Sequence, residues 1–319
     1  MTRIKVLTNF QKRAGGMEGV EACPGYFFTQ DPACEDYDWL VVFDELPMDR
    51  VEVRCPRERT ILCTWEPVSI KSYSRAYTRQ FGHLLTNRPP EAERHPHYHL
   101  GRGYFLPFVL DIPMPIGSAL PLKRETISTV CSSKQMRHTM HYARYRLVSE
   151  LAKVIPTFSW YGHGVRPLEH KSDALIPYRY HVVVENHIAV NHWTEKISDA
   201  LLCECLPFYA GDPELGKVLP PESFIPIPID DPVEASRIIK EAIAAGEFER
   251  RREAILEAKR LIVKKYNFWM QVVELIRSES AQRVTPSAPF PIYGRRTLRK
   301  VSPLAALEDV WLHLKRGFR

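Results

Sequence analysis

The stretch RYHVVVENHIAVNHWTEKISDALL, residues 179–202, decides the fold. It opens on the apolar β-branched run Val182–Val184, passes through a polar loop, and ends in a helix with Ile197, Ala200, Leu201 and Leu202 on its apolar side. A strand covered on both faces reads as such a continuous run, and strand, loop, helix is the repeating unit of a parallel α/β sheet. These sheets bind ligands at the carboxyl ends of their strands. Here that end offers Glu185, Asn186, His187, Asn191 and His192, then Thr194, Glu195 and Lys196 at the helix start. A helix N-terminus with a lysine in its first turn suits a phosphate, and a carboxylate beside it can accept from a ribose hydroxyl. A capped helix start with a solvated Glu–Lys pair is the plainer reading of the same residues.

The alternation continues on both sides. Thr126–Cys131, Thr157–Tyr161 (closed by Gly162), Leu206–Ala210 (closed by Gly211) and Phe224–Ile227 read as strands, and Met136–Val154 and Thr194–Cys203 as helices. Asp231 as N-cap, Pro232 at the first helical position and Gly246 past the end frame another helix. Two more follow over roughly 248–264 and 266–277. Strands alternating with helices predict a doubly wound parallel sheet. In the first hundred residues, Ile4–Thr8, Trp39–Phe43, Thr60–Trp65 and His83–Thr86 read as strands joined by long connections such as Gln11–Gly25, an open α/β sheet. Pro107, Pro113, Pro115 and Pro121 mark an interdomain linker, and 279–300 a second one. Ser302-Pro303 then opens a final helix with Leu304, Leu307, Trp311 and Leu314 on one stripe. The expected organisation is an N-terminal α/β domain over 1–120, a C-terminal Rossmann-like domain over 121–278, and a basic linker and amphipathic helix over 279–319.

Composition sets limits on function. In 319 residues, 45% hydrophobic and 26% charged side chains describe an ordinary globular protein. No apolar run approaches the ~18 residues of a membrane span, and the amino-terminal residues lack a signal peptide's apolar centre, so a cytoplasmic protein is expected. The seven cysteines form no CxxC pair, which argues against a disulfide framework or a cysteine zinc site. The net charge of +6 is confined to 281–319, which hold eight basic residues and two acids. A generally basic surface for nucleic acid is therefore not expected.

The central motif strongly resembles the donor-binding motif of glycosyltransferase family 10, the α-1,3/4-fucosyltransferases. There a strand leads to Phe-Glu-Asn, a short loop, and Tyr-x-Thr-Glu-Lys opening a helix. Here the residues are Val184-Glu185-Asn186 and His192-Trp193-Thr194-Glu195-Lys196. The family's Pro-Val-x-x-Gly strand is matched by Pro207-Phe208-Tyr209-Ala210-Gly211, and its Pro-x-x-Ser-Phe-Ile by Pro220-Pro221-Glu222-Ser223-Phe224-Ile225. Upstream, Cys131-Ser132-Ser133, an arginine-bearing helix and Tyr161-Gly162 follow the family order, so the likeness spans about 126–268. His187, His192 and Ser133 depart from the family's Ser, Tyr and Asn.

The resemblance implies a GT-B-like fold of two Rossmann-like domains facing across a cleft. It implies transfer of fucose, or a related sugar, from a GDP-sugar to a glycan hydroxyl, with inversion and without a metal. Lys196 and Arg144 match the pyrophosphate contacts, with Arg146 held in reserve on the same helix. Glu195 matches the ribose contact and Asn186 a residue close to the sugar, with His192 and Thr194 beside them. No Asp-x-Asp metal motif is expected, so cations and helix N–H groups must stabilise the charge on the leaving diphosphate. A transferase of the same fold with another donor, or a non-catalytic nucleotide- or carbohydrate-binding protein, are the alternatives.

An inverting transfer needs a base for the acceptor hydroxyl. Glu66, in Trp65-Glu66-Pro67 at a strand's carboxyl end, resembles a family Glu-Ser-Pro or Glu-Pro-Pro element; Asp44 and Glu45 compete with it. The run His95-Pro96-His97-Tyr98-His99 could place two ligands on one side of a strand, but no neighbouring carboxylate completes a set and Pro96 breaks regularity, so no metal is expected. His163 reads as a loop residue. The terminal stripe suits packing on the body, or, with the cluster in 295–319, peripheral contact with an anionic membrane carrying a lipid-linked acceptor.

Overall fold

The computed structural model describes residues 1–9, 23–68, 70–103, 120–136, 140–279 and 288–317. Residues 11–22 of the connection expected at Gln11–Gly25 and the prolines at 107, 113 and 115 lie outside these. The chain divides into two compact units, Met1–Arg102 with Phe268–Arg319, and Gly103–Asn267.

In the first unit the strands are β1 (Thr2–Thr8), β2 (Tyr26–Thr29), β3 (Trp39–Phe43), β4 (Arg50–Val53) and β5 (Thr60–Thr64). Helix α1 (Arg75–Thr78), β6 (His83–Thr86), α2 (Pro90–Glu93) and β7 (Tyr98–Leu100) follow. Six strands pair in the order β2-β1-β3-β5-β6-β7, all parallel. Leu40, Val42, Leu62 and Leu84 point to one side, where Tyr77, Phe81 and Ile292 close the core.

In the second unit β8 (Glu125–Val130), α3 (His141–Val154), β9 (Phe158–Tyr161), β10 (Tyr178–Val184), α4 (Glu195–Leu202), β11 (Leu206–Ala210) and β12 (Ile225–Pro226) precede α5 (Pro232–Ala244), α6 (Glu247–Arg250) and α7 (Arg252–Lys264). The parallel order β12-β11-β10-β8-β9 places the first strand inside and reverses direction after the second. Val182, Val183 and Val184 are nearly fully buried, each stabilising the core by about 1.5–3 kcal/mol. The expected cap is present: the Asp231 carboxylate accepts from the amides of Val233 and Glu234.

Three local expectations change. Helix α3 starts at His141 rather than Met136; upstream, the Cys131 and Ser133 amides bond to the carbonyls of Tyr161 and His163 and continue the strand alignment past β8. The helix expected over 248–264 is interrupted at Arg251, whose φ of −100° and ψ of 11° leave the helical well. The boundary expected at 278 falls at 267, because α8 (Phe268–Glu279) buries Phe268 and Trp269 against Phe28, Phe43 and Trp65 of the first unit.

The segment expected as a linker and amphipathic helix builds part of the first unit. Strand β13 (Phe290–Tyr293) pairs antiparallel with β4, and α9 (Arg295–Val301) and α10 (Pro303–Gly317) follow. Helix α10 docks through Ala305 and through Glu308, whose carboxylate accepts from the Arg75 and Ala76 amides at the start of α1. Its apolar stripe faces outward: Leu304 is 78% exposed and Leu307 68%, with Val310, Trp311 and Leu314 also exposed. All seven cysteines are free thiols, and all but Cys34 are buried.

Candidate functional site

The order of the second sheet defines the site. With β9 on one side of β8 and β10 on the other, the connections leave in opposite directions and open a crevice at the carboxyl ends of β8 and β10. Cys131 follows β8 and Glu185 follows β10. Burial pushes the Cys131 thiol up, partly offset by Arg144 and Lys196, so both cations act on the same point.

Glu185 is fully buried. Its Oε1 accepts from the Thr194 amide at 2.9 Å and its Oε2 from the Thr194 hydroxyl at 2.6 Å. Thr194 is the N-cap of α4, and its hydroxyl oxygen accepts from the Lys196 amide at 3.3 Å. Lys196 Nζ stands 3.1 Å from the same oxygen, 3.0 Å from Glu195 and 3.6 Å from Glu185. Burial works against the Lys196 charge, but Glu195 and Glu185 overcome it and raise the ammonium's pKa. Burial likewise opposes Glu195, yet Lys196 and Lys171 hold it below the ordinary range. Glu185 is raised, because burial outweighs Lys196.

Arg144 lies in the first turn of α3, buried, with one guanidinium nitrogen donating to Asn186 Oδ1. Its Nε is buried without a hydrogen-bond partner. An unpaired buried N–H is costly, and a diphosphate oxygen would satisfy it. Arg146 is exposed and donates to the Asp230 carbonyl, away from Asn186. The sequence therefore brought together Lys196, Glu195, Thr194, Arg144 and Asn186, with Arg146 apart. It named Glu185 without giving it a role; the signal was a carboxylate closing an otherwise apolar strand.

The two loop positions that depart from the family pattern meet. The rings of His187 and His192 cross edge to face with centroids 5.3 Å apart. Asn191 turns the chain there at φ 62°, a conformation Asn tolerates better than most residues. On the next strand Gly211 is required by space: a Cβ would lie 2.2 Å from the Tyr209 ring and 2.7 Å from the Glu185 side chain.

In the first unit Glu66 follows β5, half-buried. Its carbonyl accepts from Arg88 Nε and Nη2 at 2.8 and 2.6 Å, while Arg88 Nη1 binds the buried Glu93 carboxylate at 2.7 Å. The competing carboxylates are committed: Asp44, at φ 64°, binds Lys71 at 2.6 Å and Tyr73, and Glu45 binds Lys71 at 2.8 Å and Arg295. Burial opposes the Glu45 charge, but Lys71 and Arg295 hold its pKa low. Against the expectation, one Asp-x-Asp pattern does occur, Asp36-Tyr37-Asp38 in this unit, with Asp36 paired to Arg3 and Asp38 accepting from the Arg3 amide.

Two doubly wound units with a cationic crevice at the second unit's switch point define the GT-B fold class. A solved α1,3-fucosyltransferase with GDP-fucose matches 90% of this chain and 92% of its own with a TM-score of 0.54 at 16% identity. A second α1,3-fucosyltransferase structure matches at 0.52, also at 16% identity, over 89% and 91% of the two chains. Residues 120–236 match the model of glycosyltransferase family 10 (fucosyltransferase) C-term. The α-(1,3)-fucosyltransferase FucT of Helicobacter pylori is 24% identical over 217 residues, covering 62% of this chain and 40% of FucT. The chain thus spans about two fifths of that relative's length.

Proposed function

We propose that the chain is an inverting glycosyltransferase that moves fucose, or a related sugar, from a GDP-sugar to a hydroxyl of an oligosaccharide or lipid-linked glycan, without a metal in the transfer step. The observation that carries this reading is the buried Arg144 with its unpaired Nε beside Lys196 at the start of α4. Two cations and the helix amides would take the charge that develops on the departing diphosphate, the part a divalent ion plays elsewhere. Glu195, kept ionised by Lys196 and Lys171, would accept from the ribose hydroxyls. Asn186, next to Arg144, would face the sugar, and the His187–His192 pair would shape its pocket.

Glu66 is assigned as the general base that takes the acceptor proton. Its rivals Asp44 and Glu45 are engaged with cations, and the Arg88 clamp fixes its backbone. The outward stripe of α10 with exposed Arg296 and Lys300 supports a peripheral contact with the anionic inner face of a membrane, hence a cytoplasmic enzyme working on a lipid-linked acceptor. Arg295 and Arg299 do not contribute, being paired with Glu45 and Asp309. No helix among the described residues is long and apolar enough to cross a membrane.

The test is calorimetric titration of GDP, GDP-fucose, GDP-mannose and UDP-glucose in chelator. Metal-free GDP binding is expected, weakened by Lys196→Ala on the order of a hundredfold. Absence of guanine-nucleotide binding, with and without candidate glycans, would overturn the assignment.

A further inference from the structure

A second cluster lies at the opposite end of the first sheet from Glu66. His83 opens β6 and His99 lies in β7, which pair with Leu84 opposite Tyr98 and Leu85 opposite His99. Residues 83, 97 and 99 therefore share one face of the sheet. Helix α8 ends beside that face with Glu279. One ligand atom from each of His83, His99 and Glu279 lies within 4.8 Å of the others.

The tautomers are set by the neighbours. His83 Nε2 lies 2.9 Å from the Glu58 carbonyl, which can only accept, so Nε2 carries the proton and Nδ1 a lone pair. That lone pair points at His99 Nε2, 3.1 Å away. Two imidazole nitrogens on one tetrahedral zinc ion stand about 3.3 Å apart, so the pair needs little movement to share an ion. A ligating histidine whose other N–H is anchored on a backbone carbonyl is the usual arrangement at metal sites. His95 is not a ligand: its Nδ1 accepts from the His97 amide and its Nε2 faces the Phe81 carbonyl.

We propose that His83 Nδ1, His99 Nε2 and a Glu279 carboxylate oxygen form a site for a divalent transition ion of the zinc class. Two imidazoles and a carboxylate are a zinc donor set, and the fourth position falls to water or to His97, whose ring centroid is 5.4 Å from that of His83. Ion binding needs only that His99 move its proton from Nε2 to Nδ1 through water, with no net proton change. A cavity of about 350 Å³ lined by Arg57, Glu58, His83, His95 and His97 opens beside His83. The ion would staple the end of α8 to the sheet edge. The site stands apart from the transfer chemistry, at the amino ends of the strands.

The test uses the full chain, stripped with chelator and desalted, then titrated with zinc chloride by calorimetry and with cobalt chloride by visible absorption. Wild type should bind about one equivalent, give the intense d–d bands of four-coordinate cobalt, and gain thermal stability with zinc. His83 is buried and its replacement risks misfolding, so the variants are His99→Gln and Glu279→Gln, with exposed His170→Gln as control. Each site variant should weaken zinc by at least about tenfold and lose the thermal gain, with His170→Gln unchanged. Substoichiometric binding by wild type, or equal affinity in both site variants, would overturn the proposal.

Discussion

Glu185 grips Thr194 through both oxygens, one on its amide and one on its hydroxyl. That pair of hydrogen bonds ties the start of α4 to the end of β10, and α4 carries Glu195 and Lys196. The strand end and the nucleotide site are thus one hydrogen-bonded object. Glu185→Ala leaves two buried donors unmet and removes a counter-charge of Lys196. It is expected to cost about 3 kcal/mol in urea unfolding and to weaken GDP binding in parallel. Glu185→Gln, whose one acceptor oxygen can still meet the Thr194 amide, should cost about half as much. Equal stability of all three proteins would refute the coupling.

Glu66→Gln tests the base. The amide keeps the shape and the Arg88 clamp on the backbone, so GDP affinity should hold while turnover falls on the order of 100-fold or more. Asp44→Asn should behave differently, lowering the melting temperature because Lys71 loses a buried partner. A Glu66→Gln enzyme with full turnover would remove Glu66 from the reaction.

His181 gives the second unit an acid sensitivity. It is fully buried on β10 with Nδ1 2.8 Å from the Ser128 hydroxyl, and burial, with Lys171 and Lys123 adding to it, lowers its pKa to about 3. An unfolded histidine titrates near 6.5, so between pH 6.5 and 3 the unfolded chain binds the extra proton. Stability is present above pH 6.5 and is lost as pH falls, amounting to roughly 3 kcal/mol by pH 4. His181→Asn should flatten that slope in unfolding curves between pH 7 and 4. An unchanged slope would assign the sensitivity to other groups.

The outward stripe of α10 separates docking from folding. Leu304→Glu with Leu307→Glu alters side chains that are mostly in solvent, so the melting temperature should stay within a degree or two. Sedimentation with vesicles containing anionic lipid should drop several-fold, since each change removes apolar area and adds repulsion. Retained vesicle binding would assign the stripe another role.

The second unit was legible because its strands are buried on both faces and its motif residues lie close together in sequence. Val182–Val184 and the cluster from Glu185 to Lys196 need only local spacing to be read. What stayed hidden depends on distant partners. Strand β4, RVEV, has no apolar run and is stabilised by pairing with 290–293. The His95–His99 run showed no carboxylate nearby because Glu279 arrives from another helix. The stripe on α10 suited either packing on the body or a membrane contact, and the helix docks instead through Ala305 and Glu308, whose carboxylate meets the amides at the start of α1. Periodicity gives the sidedness of a helix; the neighbour's chemistry chooses the side.

The return of β13 to β4 has a consequence for biosynthesis. The second unit is a single continuous stretch, complete as soon as Asn267 has emerged, whereas the first must wait for α8 and β13 to supply its missing wall. On the ribosome the order of maturation is therefore the reverse of the order of translation: the half made first is finished last, with its unpaired β4 edge and the cores around Phe43 and Trp65 in need of shelter until then.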